Sequence, residues 1–465
     1  MRWVRMAGLL ILGLAILPPD PEGAMVASWI RAGDRLWAEG RGLSARRFYE
    51  MALARRPEDP RVLHRVARLR GALGEGEEAE ALWRAAMRQG DPTALRGLAE
   101  VATQRRDWPT AWARWQAWAA RAPEDREAFA RWAEAALASG AADAARAAWE
   151  VWLERHPEDA AARFRLGLLL GALDPEAARR HLTGLPPPAD AWAARLPPFC
   201  ALEARCPQAE EAEALRRWAF TLVGARYWGE ARLALDRWLA VHPEDPVAMA
   251  AMGYTLGRLG ADGTPWLQRA AARSTIPPEV HYFWGLYLLE HGHYREAMGR
   301  FAAAWHLRPD PLFALERGRA AMLAGDLLTA ERWLREAVRA DPDNVEGWNM
   351  LAALYLGHQV REGEGSAAAR EILQRAPERA EGYEWLGWAH YLREDFAGAE
   401  RLLRQALAQD AVRPSAHYRL GIVLAAQGRA AEARRWLEQT VLLDPQGEFG
   451  RRAQRWLSIL PPSGD

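Results

Sequence analysis

Apolar residues in this chain recur at the spacing of one helical face, then break at a glycine and start again. In HYRLGIVLAAQGRAAEARRWLEQTVLLDP, residues 417–445, Leu420, Val423 and Leu424 form one stripe. Gly428 interrupts it, and Ala433, Trp436, Leu437 and Val441 form a second. Two amphipathic helices joined by a short turn account for both stripes. The closing proline lacks an N–H and restricts the residue before it, so it ends the second helix.

The pattern repeats through most of the chain. A small residue stands at Gly33, Ala67, Ala99, Ala133, Gly167, Ala219, Gly253, Gly285, Gly318, Ala352, Gly387 and Gly421. The steps between them are 34, 32, 34, 34, 52, 34, 32, 33, 34, 35 and 34. Alanine follows twelve residues after most of them, as at Ala45, Ala111, Ala231, Ala297 and Ala433. Helices cross closely only where side chains are small, so these two positions mark the crossing within each pair. The unit tails are nearly identical: RRPEDP, RAPEDR, RHPEDA and VHPEDP.

Such a repeat resembles the tetratricopeptide repeat. Gly285, Ala297, Phe301 and Pro309 match its pattern, as do Gly387 and Ala399. About twelve units cover residues 26–447. The resemblance implies an all-α fold, a right-handed solenoid superhelix of antiparallel helix pairs, with the first helix of each pair lining a concave face. It also implies a protein or peptide partner on that face.

The expected organisation has five parts. Residues 1–25 are a signal peptide or membrane anchor, and 26–186 a first array of about five repeats. Residues 187–211 are a Pro-rich insertion, 212–447 a second array of about seven repeats, and 448–465 a capping helix and tail. The unit from Pro246 has a clipped second helix opened by Thr264-Pro265, and the unit from Val345 carries extra turn residues.

The N-terminus supplies the first reading of setting. Arg2 and Arg5 precede an uncharged apolar run, Met6–Leu17, and a polar break follows. This is the layout of an export signal or short anchor of a bacterial cell-envelope protein, with the repeats outside the cytoplasmic membrane. Twelve residues are short for a spanning helix. The alternative is an apolar cap on a cytosolic adaptor or regulator.

Charge narrows the function classes. The 61 basic residues balance 61 acidic ones, which argues against a nucleic-acid binder. All 61 are arginine, so lysine Schiff-base, P-loop and lysine-base chemistry are excluded.

Three clusters raise chemistry. EHGHYREA, residues 290–297, offers Glu290, His291, His293 and Glu296 as metal ligands, yet in register it is the turn of one helix pair, with Gly292 as the turn glycine. Cys200 and Cys206 both lie in the insertion, either as a disulfide or as two free thiols; in one continuous helix they would be roughly 9 Å apart, beyond bridging reach. GEGS at 363–366 lacks the full phosphate-loop spacing. No catalytic set, metal site or cofactor motif emerges, and an enzyme or carbohydrate-handling protein is the remote alternative.

The tryptophans are expected to pack: Trp83, Trp115 and Trp149 on second helices, Trp29, Trp284 and Trp348 on the buried face of first helices. The partner-binding set follows from the resemblance, as the inward positions of the later first helices. These are Phe220, Tyr254, Tyr282, Leu286, Arg319, Asn349, Glu384, Trp388, Tyr391, Tyr418 and Ile422. The earlier units carry His64, Arg68, Arg96, Glu100 and Glu134 instead. Aromatics with a few Arg and Asn suit peptide anchoring.

Overall fold

Many first helices of the pairs start at a capping aspartate or a first-turn proline, as at Asp59, Asp125 and Pro311, whereas second helices such as Trp228–Val241 and Tyr294–Leu307 start without a side-chain cap. The structure, a computed structural model, describes residues 20–187, 189–197 and 213–460. Among them are 26 α-helices and one π-helical segment, with no strand. Consecutive helices form antiparallel pairs, so the chain is an all-α solenoid.

The P-E-D tail makes the joint between pairs. In VHPEDP the helix Trp228–Val241 ends before Pro243, and Asp245 then accepts the N–H groups of Val247 and Ala248. Pro246 occupies the first turn, where its missing N–H costs nothing. Asp59, Asp125 and Asp159 cap their helices in the same way.

The small residues mark the crossings. In the pair Pro278–Glu290 and Tyr294–Leu307, a Cβ on Gly285 would lie 2.6 Å from Cε1 of Phe301, which is fully buried. Only glycine lets the ring lie flat against the first helix at that point.

Contact density divides the chain into two compact units. One comprises the described residues up to Val101 together with those from Glu394 on; the other runs from Ala102 to Arg393. In the first unit the helix Gly42–Arg55 packs against the helix Ala430–Leu443, so the two ends of the array meet. In the second, the helix Arg126–Ala138 packs against Trp228–Val241, although other helix pairs separate them in sequence. Trp108 donates its indole N–H to the Leu259 carbonyl, Arg232 donates to the Ala138 carbonyl at 2.8 Å, and Arg165 pairs with buried Glu230 at 2.6 Å. A cavity of about 630 Å³ lies beside this junction, lined by Trp108, Arg131, Arg165, Arg226 and Trp228.

The irregular units keep their expected character. The helix Thr264–Ala271 has 8 residues, against 14 in Tyr294–Leu307. The step of 35 after Ala352 is absorbed by widening the helix into the π-helical segment Ala353–Gln359, which ends at Val360 with φ +54°. The closing helix Glu448–Ile459 packs on Ala430–Leu443. The first described helix, Pro21–Ala38, starts inside the segment 1–25. Cys200 and Cys206 lie outside the described residues, as does the run Met6–Leu17. No helix among the described residues is long and apolar enough to cross a membrane.

Trp83, Trp115 and Trp149 are buried as expected. Trp29, Trp284 and Trp348 are not: each is only partly buried at the edge of a core. Arg300 lies 3.5 Å above the Trp284 ring and Arg375 lies 5.4 Å from that of Trp348. An indole that overhangs the core is covered by the apolar stem and guanidinium of an arginine on the neighbouring helix.

Candidate functional site: the face of the first helices

Four consecutive first helices carry a connected run of rings. They are Ala214–Gly224, Pro246–Arg258, Pro278–Glu290 and Pro311–Leu323. Phe220 and Tyr254 both contact Phe283, with centroids 6.0 and 6.1 Å apart, and Tyr282 contacts Phe283 at 5.5 Å and Phe313 at 5.6 Å. Phe283 and Phe313 are buried, whereas Phe220, Tyr254 and Tyr282 keep part of their surface open. The expected aromatics are therefore half committed to packing between first helices and half available. Burial pushes both tyrosine phenols above their ordinary range, so both stay neutral and able to donate.

Arg319 and Asn349, polar members of the expected set, belong to a chain that runs from the last of these helices onto the next two first helices. Arg319 donates to Glu346 at 3.4 Å, and Asn349 donates to the other Glu346 oxygen at 3.4 Å. The Trp385 indole donates to the Asn349 side-chain oxygen at 2.9 Å. Arg319 and Asn349 are thus fixed by their neighbours. Leu286 is partly buried, and Trp388 stacks on Tyr391 at 4.5 Å. In the other unit, Tyr418 lies against Phe449 at 5.8 Å.

Two members of the set are closed off. Glu384 is 1 % and Ile422 3 % exposed, so neither presents a surface where it stands. Of the earlier inward residues, His64 is bonded to Asp91 at 2.9 Å and Arg96 to Glu100 at 3.1 Å.

EHGHYREA is the turn its register predicts. Gly292 has φ +78°, His291 stacks on Tyr287 and donates Nδ1–H to its carbonyl at 2.7 Å, and His293 sits 3.3 Å from Glu296. No group of three or more His, Cys, Asp or Glu among the described residues is placed to hold a metal ion.

Two features were missed from sequence. Glu316, on the same face, is 5 % exposed and one of its oxygens has no hydrogen-bond partner. Burial pushes its carboxyl up, with Arg319 pulling the other way. A folded-state pKa above the unfolded value costs nothing in acid and destabilises increasingly as pH rises past the ordinary carboxylate range. Glu316→Gln should therefore raise the melting temperature at pH 7, and the gain should vanish near pH 4, about the ordinary carboxylate pKa. A loss of stability at pH 7 would show that the charge is net favourable.

The second feature is a repeated joint. Trp118, Trp152 and Trp238 donate their indole N–H groups to Asp125, Asp159 and Asp245, each seven residues on, at 2.9, 2.9 and 2.8 Å. The spacing was visible in the sequence as tryptophan seven residues before the capping aspartate.

Residues 282–345 and residues 390–455 each match a family model described as tetratricopeptide repeat. The chain is a tetratricopeptide-repeat protein. Among solved structures, this repeat protein is similar to a chain of the APC/C hetero-tetramer Cut9–Hcn1. Identity is 14 % over 92 % of this chain and 95 % of that one, with a TM-score of 0.47. It is similar to yeast Tom70 at 14 % identity over 94 % and 96 %, TM-score 0.41. It is also similar to a thermophilic repeat protein of Thermus thermophilus, at 20 % over 39 % and 100 %, TM-score 0.35. With every TM-score below 0.5, none of these likenesses bears on a partner. No curated protein matches the chain.

Proposed function

We propose that this tetratricopeptide-repeat protein is a non-enzymatic scaffold that holds a segment of a partner protein along its first helices. The observation that carries this reading is the run of partly open rings from Phe220 through Tyr282, continued by the Trp388–Tyr391 stack. Rings already held by their neighbours lose little freedom on binding, and aromatic side chains dominate hot spots. Arg319 and Asn349, held in place beside them, supply polar contacts for a peptide backbone.

The test uses the full chain immobilised for capture from the native organism, with the partner identified by mass spectrometry. Tyr254→Ala and Trp388→Ala should each weaken binding of that partner roughly ten-fold or more, the scale of a hot-spot truncation. Unchanged capture by variants of unchanged helical content would remove this face from consideration.

We further infer a setting outside the cytoplasmic membrane, in the cell envelope, from Arg2, Arg5 and the apolar run Met6–Leu17. Cell fractionation tests it, and recovery in the soluble cytoplasm would favour the cytosolic adaptor instead.

A further inference from the structure

The contact between the two ends of the array differs from the contacts between successive pairs. Successive pairs meet through large apolar side chains, as where Val338, Met350, Leu351 and Trp385 pack in one core. At the end contact small and polar residues take part. Ser44 donates to Glu438 at 2.8 Å, and Gln446 donates to the Gly74 carbonyl at 2.8 Å. A Cβ on Gly42 would lie 2.8 Å from Leu442. Glu438 is 2 % exposed and one of its oxygens has no hydrogen-bond partner. A cavity of about 790 Å³, lined by Trp37, Arg435, Trp436, Gln439 and Leu442 among others, opens beside the contact.

These features describe a joint that fits closely but holds weakly. A carboxylate oxygen is buried there without a hydrogen-bond donor, and a void remains beside it. The two faces are different surfaces of one chain: residues 40–44 with Gly74 on the leading face, residues 438–446 on the trailing one. Such a heterologous contact is satisfied equally by the chain's own other end or by the same face of a second molecule. The chain's own end wins at low concentration because tethering keeps it close.

We propose that this joint is exchangeable, and that its leading and trailing faces join two copies of this chain head to tail once it opens. The occupant of each face is then a second copy of the same chain. The proposal is independent of the partner reading of the first helices.

The test is complementation between two full-length variants. Gly42→Arg blocks the leading face and leaves the trailing one intact; Leu442→Arg does the reverse. Neither variant can close on itself or pair with its own kind. Mixed in equal amounts at about 100 μM, well below the millimolar effective concentration of a tethered end, they should form a 1:1 dimer by light scattering. Each variant alone should stay monomeric, with a larger hydrodynamic radius than the parent. If Gly42→Arg does not fold, Ser44→Glu replaces it, setting a second carboxylate against Glu438. Two folded variants that remain monomeric on mixing up to 1 mM, about the effective concentration the tether supplies, would overturn the proposal. So would a dimer of either variant alone, which would need some other surface.

Discussion

Phe301→Ala should cost about 3–5 kcal/mol of stability, the range for removing a fully buried aromatic ring. Phe301 is fully buried, and it is the ring against which Gly285 allows the first helix to lie. Gly285→Ala should also destabilise, by about 1–3 kcal/mol, because its Cβ would sit 2.6 Å from the ring. The double variant carries the sharper expectation. With the ring gone the new methyl has room, so the two costs should fall short of adding by about 1 kcal/mol or more. Urea unfolding followed by helical signal measures all three. Strict additivity would mean that the ring and the glycine do not share one crossing.

Asp245→Ala should cost about 2–4 kcal/mol. The side chain performs two tasks at once: one oxygen accepts Val247 and Ala248 N–H, the other accepts the Trp238 indole and Arg216 at 2.8 Å. Loss of a cap is worth about 0.5–2 kcal/mol, and an indole N–H left buried without an acceptor adds about 1–3 kcal/mol. The pH dependence gives a second reading. Burial opposes ionisation of Asp245, yet the backbone N–H of Ala248, Arg216 and the Trp238 indole outweigh it and hold the carboxyl below its usual range. A depressed folded-state pKa contributes stability that is present above the unfolded pKa and lost as pH falls through the folded one. The gap between parent and variant should therefore be full at pH 7 and narrow below about pH 4, the ordinary carboxylate value. A gap independent of pH would assign the whole cost to lost packing.

Much of the local structure was legible before the fold. The period, the small residue at each crossing and the P-E-D tails are requirements of contacts within about one unit, so each unit's sequence states them. The clipped helix Thr264–Ala271 was read from Thr264-Pro265, and the π-helical segment Ala353–Gln359 stands where the period lengthens by one residue. The candidate site was legible in part. Tyr254, Tyr282, Arg319, Asn349, Trp388 and Tyr391 all lie on first helices, as register requires. Their remaining exposure was not legible, because it depends on the neighbouring unit's rings and carboxylates. Glu384 and Ile422 occupy equivalent register positions and are nevertheless buried.

The sequence by itself determined that this protein is a series of helix pairs, where each pair crosses and where each turns. Those are properties of residues within one or two helices of each other, set by side-chain size, proline and capping aspartates. Only the tertiary structure decided that Trp108 meets Leu259, that Arg165 meets Glu230, and that Ser44 meets Glu438 across 394 residues. Such contacts depend on the small rotation between successive pairs, summed over many of them. No single repeat contains that sum.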